Sequence, residues 1–292
     1  MRTIDEKSIT DAVLEQMAST PNPRLRQIMD AFVRHLHAAA REVDLTPEEW
    51  LEGIQFLTAV GHKCTPYRQE FVLLSDTLGF SALINALHDK HLTHASTKSS
   101  LLGPFYRQDS RTMKLGESIA SHSKGLEICV YGRVLDAAGQ PIPNASLEVW
   151  QADEEGCYDL QRDDPSQMEL RGRFYTDAEG RYYLRTITPR GYSIPMDGPV
   201  GNMVHAQGRH GYRPAHVHFL VGASGYREVV TALYMAGDQH IETDTVFGVS
   251  ESLIVTVNGI DPSSPFPNLP SVQFDFRLAQ QTKEDVSSSR RR

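Results

Sequence analysis

The stretch TKSSLLGPFYR, residues 97–107, divides the sequence into two parts with different hydrophobic patterns. Before it, apolar residues recur at the spacing of a helix face. After it, short runs of β-forming residues alternate with turns rich in Gly, Pro and Asp. The sequence therefore predicts an α+β protein, in which an N-terminal all-helical domain is followed by a C-terminal antiparallel β-sandwich.

The first strong helical segment has both a start signal and an apolar face. Asn22 is a favourable N-cap, and Pro23 suits the first turn because its missing N–H would have no partner there. The positions i, i+3, i+4, i+7, i+8 and i+11 then form one face of the helix. These positions are occupied by Leu25, Ile28, Met29, Phe32, Val33 and Leu36.

Further helix starts follow along the first part of the chain. Thr46 and Glu49 form a capping box, in which each side chain accepts a hydrogen bond from a backbone amide of the other residue. Thr65, with the proline after it, is predicted to open a third helix that Gly79 ends. A shorter helix is expected in SALINALHDK, residues 81–90.

The second part of the chain contains the predicted strands. They are expected at residues 126–136, 145–153, 172–187, 216–221, 229–235, 252–257 and 272–278. Short strands at this regular spacing are typical of an antiparallel sandwich or barrel. The predicted domains are therefore residues 1–105 and 106–280, and residues 281–292 are predicted to be a disordered tail.

Charge and cysteine content exclude several classes of protein. The formal net charge of −8 argues against sequence-independent nucleic-acid binding, which needs clustered Lys and Arg. Three cysteines without a CxxC pair predict neither a disulfide framework nor a thiolate zinc site. The charged N-terminus is unlike a signal peptide, and no apolar run approaches the ~18 residues of a membrane span. We expect a cytoplasmic protein.

The first chemical signal is RPAHVHFLV, residues 213–221. Side chains two apart on a strand point to one face, so His216 and His218 converge. Imidazole is a common ligand of Fe, Zn and Cu, but the pair could also be two polar residues on a solvated face. A cupin-type site lacks its carboxylate, because the first one after the pair is Glu228, and no HExxH motif occurs. The eleven tyrosines are the remaining hard donors.

Three motifs resemble those of a known family, and they are GRVLDAAGQPIPNASLEVWQADEEGCYD, PRGYSIPMDGPVG and RPAHVHF. They are similar to motifs of the intradiol ring-cleavage dioxygenases, non-haem iron(III) enzymes that open catechol-type rings between the two hydroxyls. The resemblance covers most of the chain, including LLGPFY and the helical front. It implies that Tyr158, Tyr192, His216 and His218 hold Fe(3+) in the β-sandwich. Phenolate is a hard anionic donor that favours ferric iron.

The resemblance also implies catalytic roles. An aromatic diol would bind the iron, and Tyr192 would leave the metal and act as a base while Tyr158 stays bound. Arg213 would stabilise the carbanionic form of the substrate. For a lone arginine the alternative is a surface position. Both oxygen atoms of dioxygen would enter the muconate-type product.

Two segments bear on which ring is cleaved. The catechol-specific branch carries a glutamine after HxHF at the position where this chain has Ala232. By contrast, residues 227–255 and 69–80 resemble the hydroxyquinol 1,2-dioxygenase branch, which converts benzene-1,2,4-triol to maleylacetate. Asp76 is the candidate acceptor for the third hydroxyl, although it could instead be an exposed residue or a cap near Gly79. The predicted substrate pocket is formed by Leu73, Asp76, Leu102, Gly103, Pro104, Phe105, Ile194, Pro195, Arg213 and Val246.

The resemblance further implies a homodimer through the helical domain and a phospholipid in an apolar tunnel at its interface. The apolar face that starts at Leu25 could line that tunnel or pack against the β domain of the same chain. Catechol or chlorocatechol 1,2-dioxygenase is the alternative activity. A non-catalytic transthyretin-like module is suggested by residues 132–150, and a zinc hydrolase is suggested by the two histidines.

Overall fold

Five helices occupy the first part of the chain in the computed structural model, which describes residues 4–90, 92, 95–162, 164 and 166–281. They are α1 (Ile9–Met17), α2 (Pro23–Glu42), α3 (Pro47–Lys63), α4 (Glu70–Thr77) and α5 (Phe80–Asp89). No single described helix has the length and apolar composition needed to cross a bilayer, and only α4 and α5 taken together, bent by 71°, have them.

Two of the predicted helix starts are confirmed. The Asn22 side chain accepts hydrogen bonds from the N–H groups of Arg24 and Leu25, both at 3.0 Å. In the capping box, the Thr46 N–H lies 2.9 Å from Glu49 Oε2 and the Glu49 N–H lies 3.2 Å from Thr46 Oγ1. These side chains satisfy amides that have no partner inside the helix.

The predicted start at Thr65 is wrong. The Thr65 hydroxyl accepts hydrogen bonds from the N–H groups of Tyr67 and Arg68, at 3.2 and 3.0 Å, and so closes a turn instead of capping a helix. Helix α4 begins five residues later, at Glu70. Gly79, with φ of 71°, separates α4 from α5, as its predicted role as a helix stop requires.

The strands lie after residue 126, and a short helix that the sequence analysis missed, α6 (Pro199–Ala206), interrupts them. The longer strands are β1 (Glu127–Asp136), β2 (Ser146–Gln151), β3 (Arg171–Tyr175), β4 (Arg181–Ile187), β7 (His216–Gly222) and β8 (Val229–Met235). The shorter ones are β5 (Tyr192–Ser193), β6 (Tyr212–Arg213), β9 (Ile254–Val255), β10 (Asn258–Ile260), β11 (Pro270–Gln273) and β12 (Phe276–Leu278).

Two five-stranded sheets form the sandwich, and neither is purely antiparallel. The first has the order β10-β11-β1-β12 with β4 also paired to β1, and the second has the order β3-β2-β7-β8-β9. Strand β1 runs parallel to β11 and β12, and β8 runs parallel to β9. The expectation of an antiparallel sandwich is corrected to a mixed one, because long connections return these late strands in the parallel direction.

The inner faces of the two sheets form the main core. Phe219 of β7 contacts Tyr182 of β4 and Phe276 of β12, with ring centroids 6.3 and 4.9 Å apart. Val217 and Phe219 are fully buried in this core. Because side chains alternate along a strand, His216 and His218 must lie on the opposite face of the second sheet.

The chain divides into two compact units, Met1–Ala59 and Val60–Arg292, with the division inside α3. Helices α4 and α5 therefore belong to the same unit as the sandwich, whereas the predicted domain boundary placed them with the other helices. Of the predicted tail at residues 281–292, all but Gln281 lies outside the described residues.

Candidate functional site

The two histidines of β7 point to one buried site. His216 and His218 are each 2% exposed, and their Nε2 atoms lie 3.1 Å apart. The Nδ1 atom of His216 lies 2.7 Å from the carbonyl oxygen of Pro214, which can only accept a hydrogen bond. Nδ1 therefore carries the proton, and the lone pair of Nε2 faces the site.

Two tyrosines reach the same site from separate segments of the chain. Tyr158 precedes a short 3₁₀ turn (Asp159–Gln161), and Tyr192 lies on β5. The Tyr158 hydroxyl is 3.3 Å from the Tyr192 hydroxyl and 3.4 Å from His216 Nε2. The structure thus brings together the four side chains that the sequence analysis selected as iron ligands.

Burial controls the protonation of this cluster. It lowers the pKa of His216 to about 3, and it lowers the pKa of His218 well below its usual value. Burial, followed by the neighbouring Tyr192, raises the pKa of Tyr158 well above its ordinary value. The imidazoles are therefore neutral near pH 7, and a Tyr158 phenolate would need a cation beside it.

Aromatic and charged neighbours hold the ligand side chains. His218 stacks on Trp150 of β2, with ring centroids 4.8 Å apart and planes within 4°. Phe105 stacks on Tyr158 at 4.5 Å. Behind Tyr158, Arg171 and Asp159 form an ion pair in which both side chains are 1% exposed.

Arg213 completes the cluster from β6. It is 3% exposed, and its Nη1 lies 3.1 Å from His216 Nε2. Burial lowers its pKa, but the charges of Asp244 and nearby tyrosines outweigh that effect and raise it above the usual value. The predicted catalytic arginine therefore stays charged beside the histidines, and its alternative as a surface residue is wrong.

Asp244 and Tyr234 were not predicted, and both contact Arg213. Asp244 Oδ1 lies 3.1 Å from Arg213 Nε, and the Tyr234 hydroxyl lies 3.2 Å from Nη2. Burial raises the pKa of Asp244, but the charge and hydrogen bond of Arg213, together with His216 and the Gly248 N–H, lower it by more, so the net shift is downward. Burial raises the pKa of Tyr234 to about 12. Asp244 is therefore ionised and Tyr234 protonated near pH 7.

Most of the predicted pocket residues are buried. Asp76 is 4% exposed, so its alternative as an exposed helix residue is wrong. Burial raises the pKa of Asp76 above its usual value, although a hydrogen bond with Ser81 and the charge of Arg213 act in the opposite direction. A side-chain Cβ at Gly103, which has φ of 70°, would lie 3.8 Å from the His218 ring.

The other pocket residues differ in burial. Leu102, which was predicted to line the pocket, is 40% exposed and so is less buried than the others. Pro104 and Pro195 are half-buried. The residues buried to 6% exposure or less are Leu73, Phe105, Ile194 and Val246.

The donor set of the site is unusual for a metal centre. Within the described part of the chain, no group of three or more His, Cys, Asp or Glu side chains is placed to hold a metal. A metal at this site would therefore need tyrosine oxygens in addition to the two imidazoles. Such a donor set suits a hard, highly charged ion better than a soft one.

The chain is similar to known proteins along almost its whole length. Residues 102–280 match a family model described as Dioxygenase, and residues 22–96 match one described as Catechol dioxygenase N terminus. The 6-chlorohydroxyquinol 1,2-dioxygenase of Cupriavidus pinatubonensis is 44% identical over 254 residues, which cover 87% of this chain and 92% of that protein. The hydroxyquinol 1,2-dioxygenase of a Rhizobium species is 41% identical over 285 residues, 95% of this chain and 96% of that protein.

A solved structure is similar as well. The hydroxyquinol 1,2-dioxygenase from Pseudomonas putida DLL-E4 superposes with a TM-score of 0.86 at 42% sequence identity, covering 94% of this chain and 99% of that one. Two family models, relatives above 40% identity and a solved fold agree, and so the chain belongs to the intradiol ring-cleavage dioxygenases.

Proposed function

We propose that this dioxygenase uses dioxygen to cleave hydroxyquinol, benzene-1,2,4-triol, between its two adjacent hydroxyls, and that the product is maleylacetate. The observation that carries the proposal is the convergence of two tyrosine hydroxyls and two imidazole Nε2 atoms, with neighbouring donors 3.1–3.4 Å apart. The names of the similar proteins support the substrate, since hydroxyquinol 1,2-dioxygenases are 41–44% identical to this chain.

Membership of the family implies a non-haem metal, generally iron. Within that class we assign Fe(III), held by Tyr158, Tyr192, His216 and His218. The neutral imidazoles can offer their lone pairs without losing a proton, and two phenolates would offset much of a 3+ charge. When bound, ferric iron supplies a Lewis acid for the diol oxygens and a redox-active centre for the reaction with dioxygen.

The protein side chains then have separate tasks. The Tyr192 oxygen accepts a proton from one diol hydroxyl, whereas Tyr158, which is fully buried, keeps its place. The guanidinium of Arg213 stabilises negative charge that develops on the ring. The stacked ring of Phe105 and the buried cluster around it exclude water from the site.

The third hydroxyl distinguishes hydroxyquinol from catechol. Asp76 is assigned as its acceptor, because the carboxyl is buried on α4 and is within electrostatic range of Arg213. A hydrogen bond donated by the third hydroxyl would compensate the buried carboxyl for the hydrogen bonds with water that it lacks. The remaining wall of the pocket is assigned to Leu73, Leu102, Gly103, Pro104, Phe105, Ile194, Pro195 and Val246.

The alternatives are less well supported. Ala232 lies opposite His218 in the β7–β8 register, and its small apolar side chain cannot make the polar contact expected of the glutamine in the catechol branch. Catechol and chlorocatechol are therefore the weaker substrate candidates. Membership of an enzyme family leaves the transthyretin-like module without support, and the phenolic donor set argues against a zinc hydrolase.

The helical part of the chain is assigned to dimerisation. Apolar side chains along α2 are solvent-exposed, with Phe32 58% and Leu36 56% exposed. Monomeric proteins seldom expose a continuous apolar stripe of this kind. We therefore propose that a second copy of the chain packs against it, with or without a phospholipid between the two copies. The ranges of the two family models support the proposed division into domains at residues 1–105 and 106–280, whereas the two compact units of the structure divide inside α3. A cytoplasmic location is part of the same proposal.

The test is dioxygen uptake with hydroxyquinol and with catechol, measured side by side on protein of known iron content. Rapid uptake with the triol, slow uptake with the diol and maleylacetate as the product are expected. The protein should also be coloured by charge transfer from phenolate to iron(III). Uptake that is equal for the two rings would contradict the substrate assignment. Bound zinc and no uptake with either ring would overturn the proposed activity.

A further inference from the structure

One edge of the Arg213 guanidinium is fully engaged by protein groups. Nε lies 3.1 Å from Asp244 Oδ1, and Nη2 lies 3.3 Å from Asp244 Oδ2. Nη2 also lies 3.2 Å from the Tyr234 hydroxyl. The opposite nitrogen, Nη1, faces His216 Nε2 at 3.1 Å.

The hydrogen bonds around this edge form a closed ring in which every donor and acceptor is determined, and the bonds run from the Arg213 guanidinium to the Asp244 carboxylate along both sides. The Gly248 carbonyl can only accept, so Ser100 Oγ donates to it at 2.9 Å. Ser100 Oγ must then accept from the Tyr234 hydroxyl, 2.8 Å away, which leaves the Tyr234 oxygen to accept from Arg213. The Gly248 N–H donates to Asp244 Oδ2 at 2.9 Å and closes the ring. These five residues are called the Arg213 ring.

The Arg213 ring has no room for a side chain at Gly248. A Cβ there would lie 2.6 Å from the Tyr234 hydroxyl oxygen, 3.0 Å from Arg213 Nη2 and 3.2 Å from Asp244 Oδ2. The glycine is therefore required by close packing against the polar atoms of the ring.

The ring links segments that are distant in sequence. Arg213 lies on β6, Tyr234 on β8, Asp244 in the loop before Gly248, and Ser100 just before the Leu102–Phe105 wall. The Arg213, Tyr234, Asp244 and Ser100 side chains are all buried. Because two of the three guanidinium nitrogens are fixed by the ring, Nη1 is directed at the ligand cluster with little freedom to rotate.

We infer that Asp244, Tyr234 and Ser100 are positioning residues, which hold Arg213 so that Nη1 faces the reacting diol. The inference rests on the proposed function, in which Arg213 stabilises charge that develops in the reaction. Such stabilisation requires a donor that is already oriented, since reorientation during the reaction would cost free energy. Loss of the ring should therefore lower kcat and leave substrate binding nearly unchanged.

The test compares Asp244→Asn, Tyr234→Phe and Ser100→Ala with the unaltered enzyme. Asparagine has one acceptor oxygen where the carboxylate has two, so part of the Arg213 contact is lost. We expect kcat to fall roughly 10- to 100-fold for Asp244→Asn, the range typical of residues that orient a functional group. The losses should be smaller for Tyr234→Phe and smallest for Ser100→Ala. Iron content, the iron absorption band and the Kd for hydroxyquinol without dioxygen should stay within about threefold.

Tyr182→Phe is the matched control for Tyr234→Phe. The Tyr182 side chain is also buried, and its hydroxyl donates to the carbonyl oxygen of Phe274 at 2.8 Å in the main core. It removes a buried tyrosine hydrogen bond without touching Arg213. A fall in kcat as large for Tyr182→Phe as for Tyr234→Phe would show a general stability effect and overturn the inference.

A double-variant cycle separates positioning from an independent role. In an Arg213→Ala background, Asp244→Asn should change kcat by less than about twofold, because the group that it positions is gone. Independent, multiplicative losses would overturn the positioning role but leave the proposed activity intact. A wild-type enzyme that takes up no dioxygen with either ring would contradict the proposed activity, and the inference with it.

Discussion

The imidazole of His218 lies flat against the indole of Trp150, in directly opposed positions of β7 and β2. The planes are within 4° of each other, and Trp150 is 2% exposed. A stacked neighbour of this size leaves the imidazole little freedom to rotate. The orientation of one proposed iron ligand is therefore set by a cross-strand contact.

Trp150→Leu is expected to weaken iron retention. Loss of an orienting neighbour typically lowers metal affinity roughly 10- to 100-fold, and the smaller side chain also leaves a cavity beside His218. The measurement is the rate of iron loss to a chelator, followed by the decay of the visible absorption. Trp50→Leu, at a tryptophan that is 57% exposed on α3, is the control and should release iron at the wild-type rate.

Tyr192→Phe should separate iron binding from turnover. Tyr158, His216 and His218 remain in place, so iron is still bound, but the proton acceptor is absent. We expect kcat to fall roughly 10²- to 10⁴-fold, the range of a lost general base, while the visible band weakens but persists. Activity close to wild type would exclude Tyr192 as the base.

Features that depend on local spacing could be predicted from the sequence. His216 and His218 must share a face because they lie two residues apart on a strand. The capping box of Thr46 and Glu49 is complete within four residues. Resemblance to the family supplied Tyr158 and Tyr192, which no periodicity connects. The helix start at Thr65 failed because its hydroxyl can close a turn as readily as it can cap a helix.

The missed residues depend on register and on loop paths. Trp150 meets His218 only because β2 and β7 pair in one register, and a shift by one residue would turn it to the other face. Ser100 and Tyr234 are 134 positions apart, and no short motif connects them or marks Asp244. The parallel strands were missed for the same reason, since their direction is fixed by long connections.

Asp76→Asn should reduce the preference for the triol. Hydrogen bonds to charged groups contribute about 1.5–3 kcal/mol, so kcat/KM for hydroxyquinol should fall roughly tenfold or more. The value for catechol should change far less, because catechol lacks the third hydroxyl. The ratio of the two kcat/KM values is the quantity to measure. An unchanged ratio would show that Asp76 does not select hydroxyquinol over catechol.

Arg171→Met tests the buried ion pair behind Tyr158. It leaves the Asp159 carboxylate without its partner, and breaking such a pair typically costs about 3–5 kcal/mol of the free energy of unfolding. Denaturant unfolding measures the loss. Arg181→Met is the control, since Arg181 is an exposed arginine paired with Asp177 and its loss should barely alter the unfolding midpoint. Similar midpoints for the two variants would mean that the buried pair contributes little.

Phe32→Glu should dissociate the proposed dimer. When two copies associate, a carboxylate in the centre of the apolar stripe of α2 would be buried without a partner. Each copy would contribute this unfavourable free energy of burial, which opposes dimerisation. Light scattering during size-exclusion chromatography should then show a mass near 32.7 kDa, that of one chain. Arg34→Glu places the same side chain on the opposite side of the helix and should leave the dimer intact. A wild-type protein that is already monomeric at micromolar concentration would contradict the assignment of α2 to dimerisation, and lipid extraction from the intact dimer would test the phospholipid.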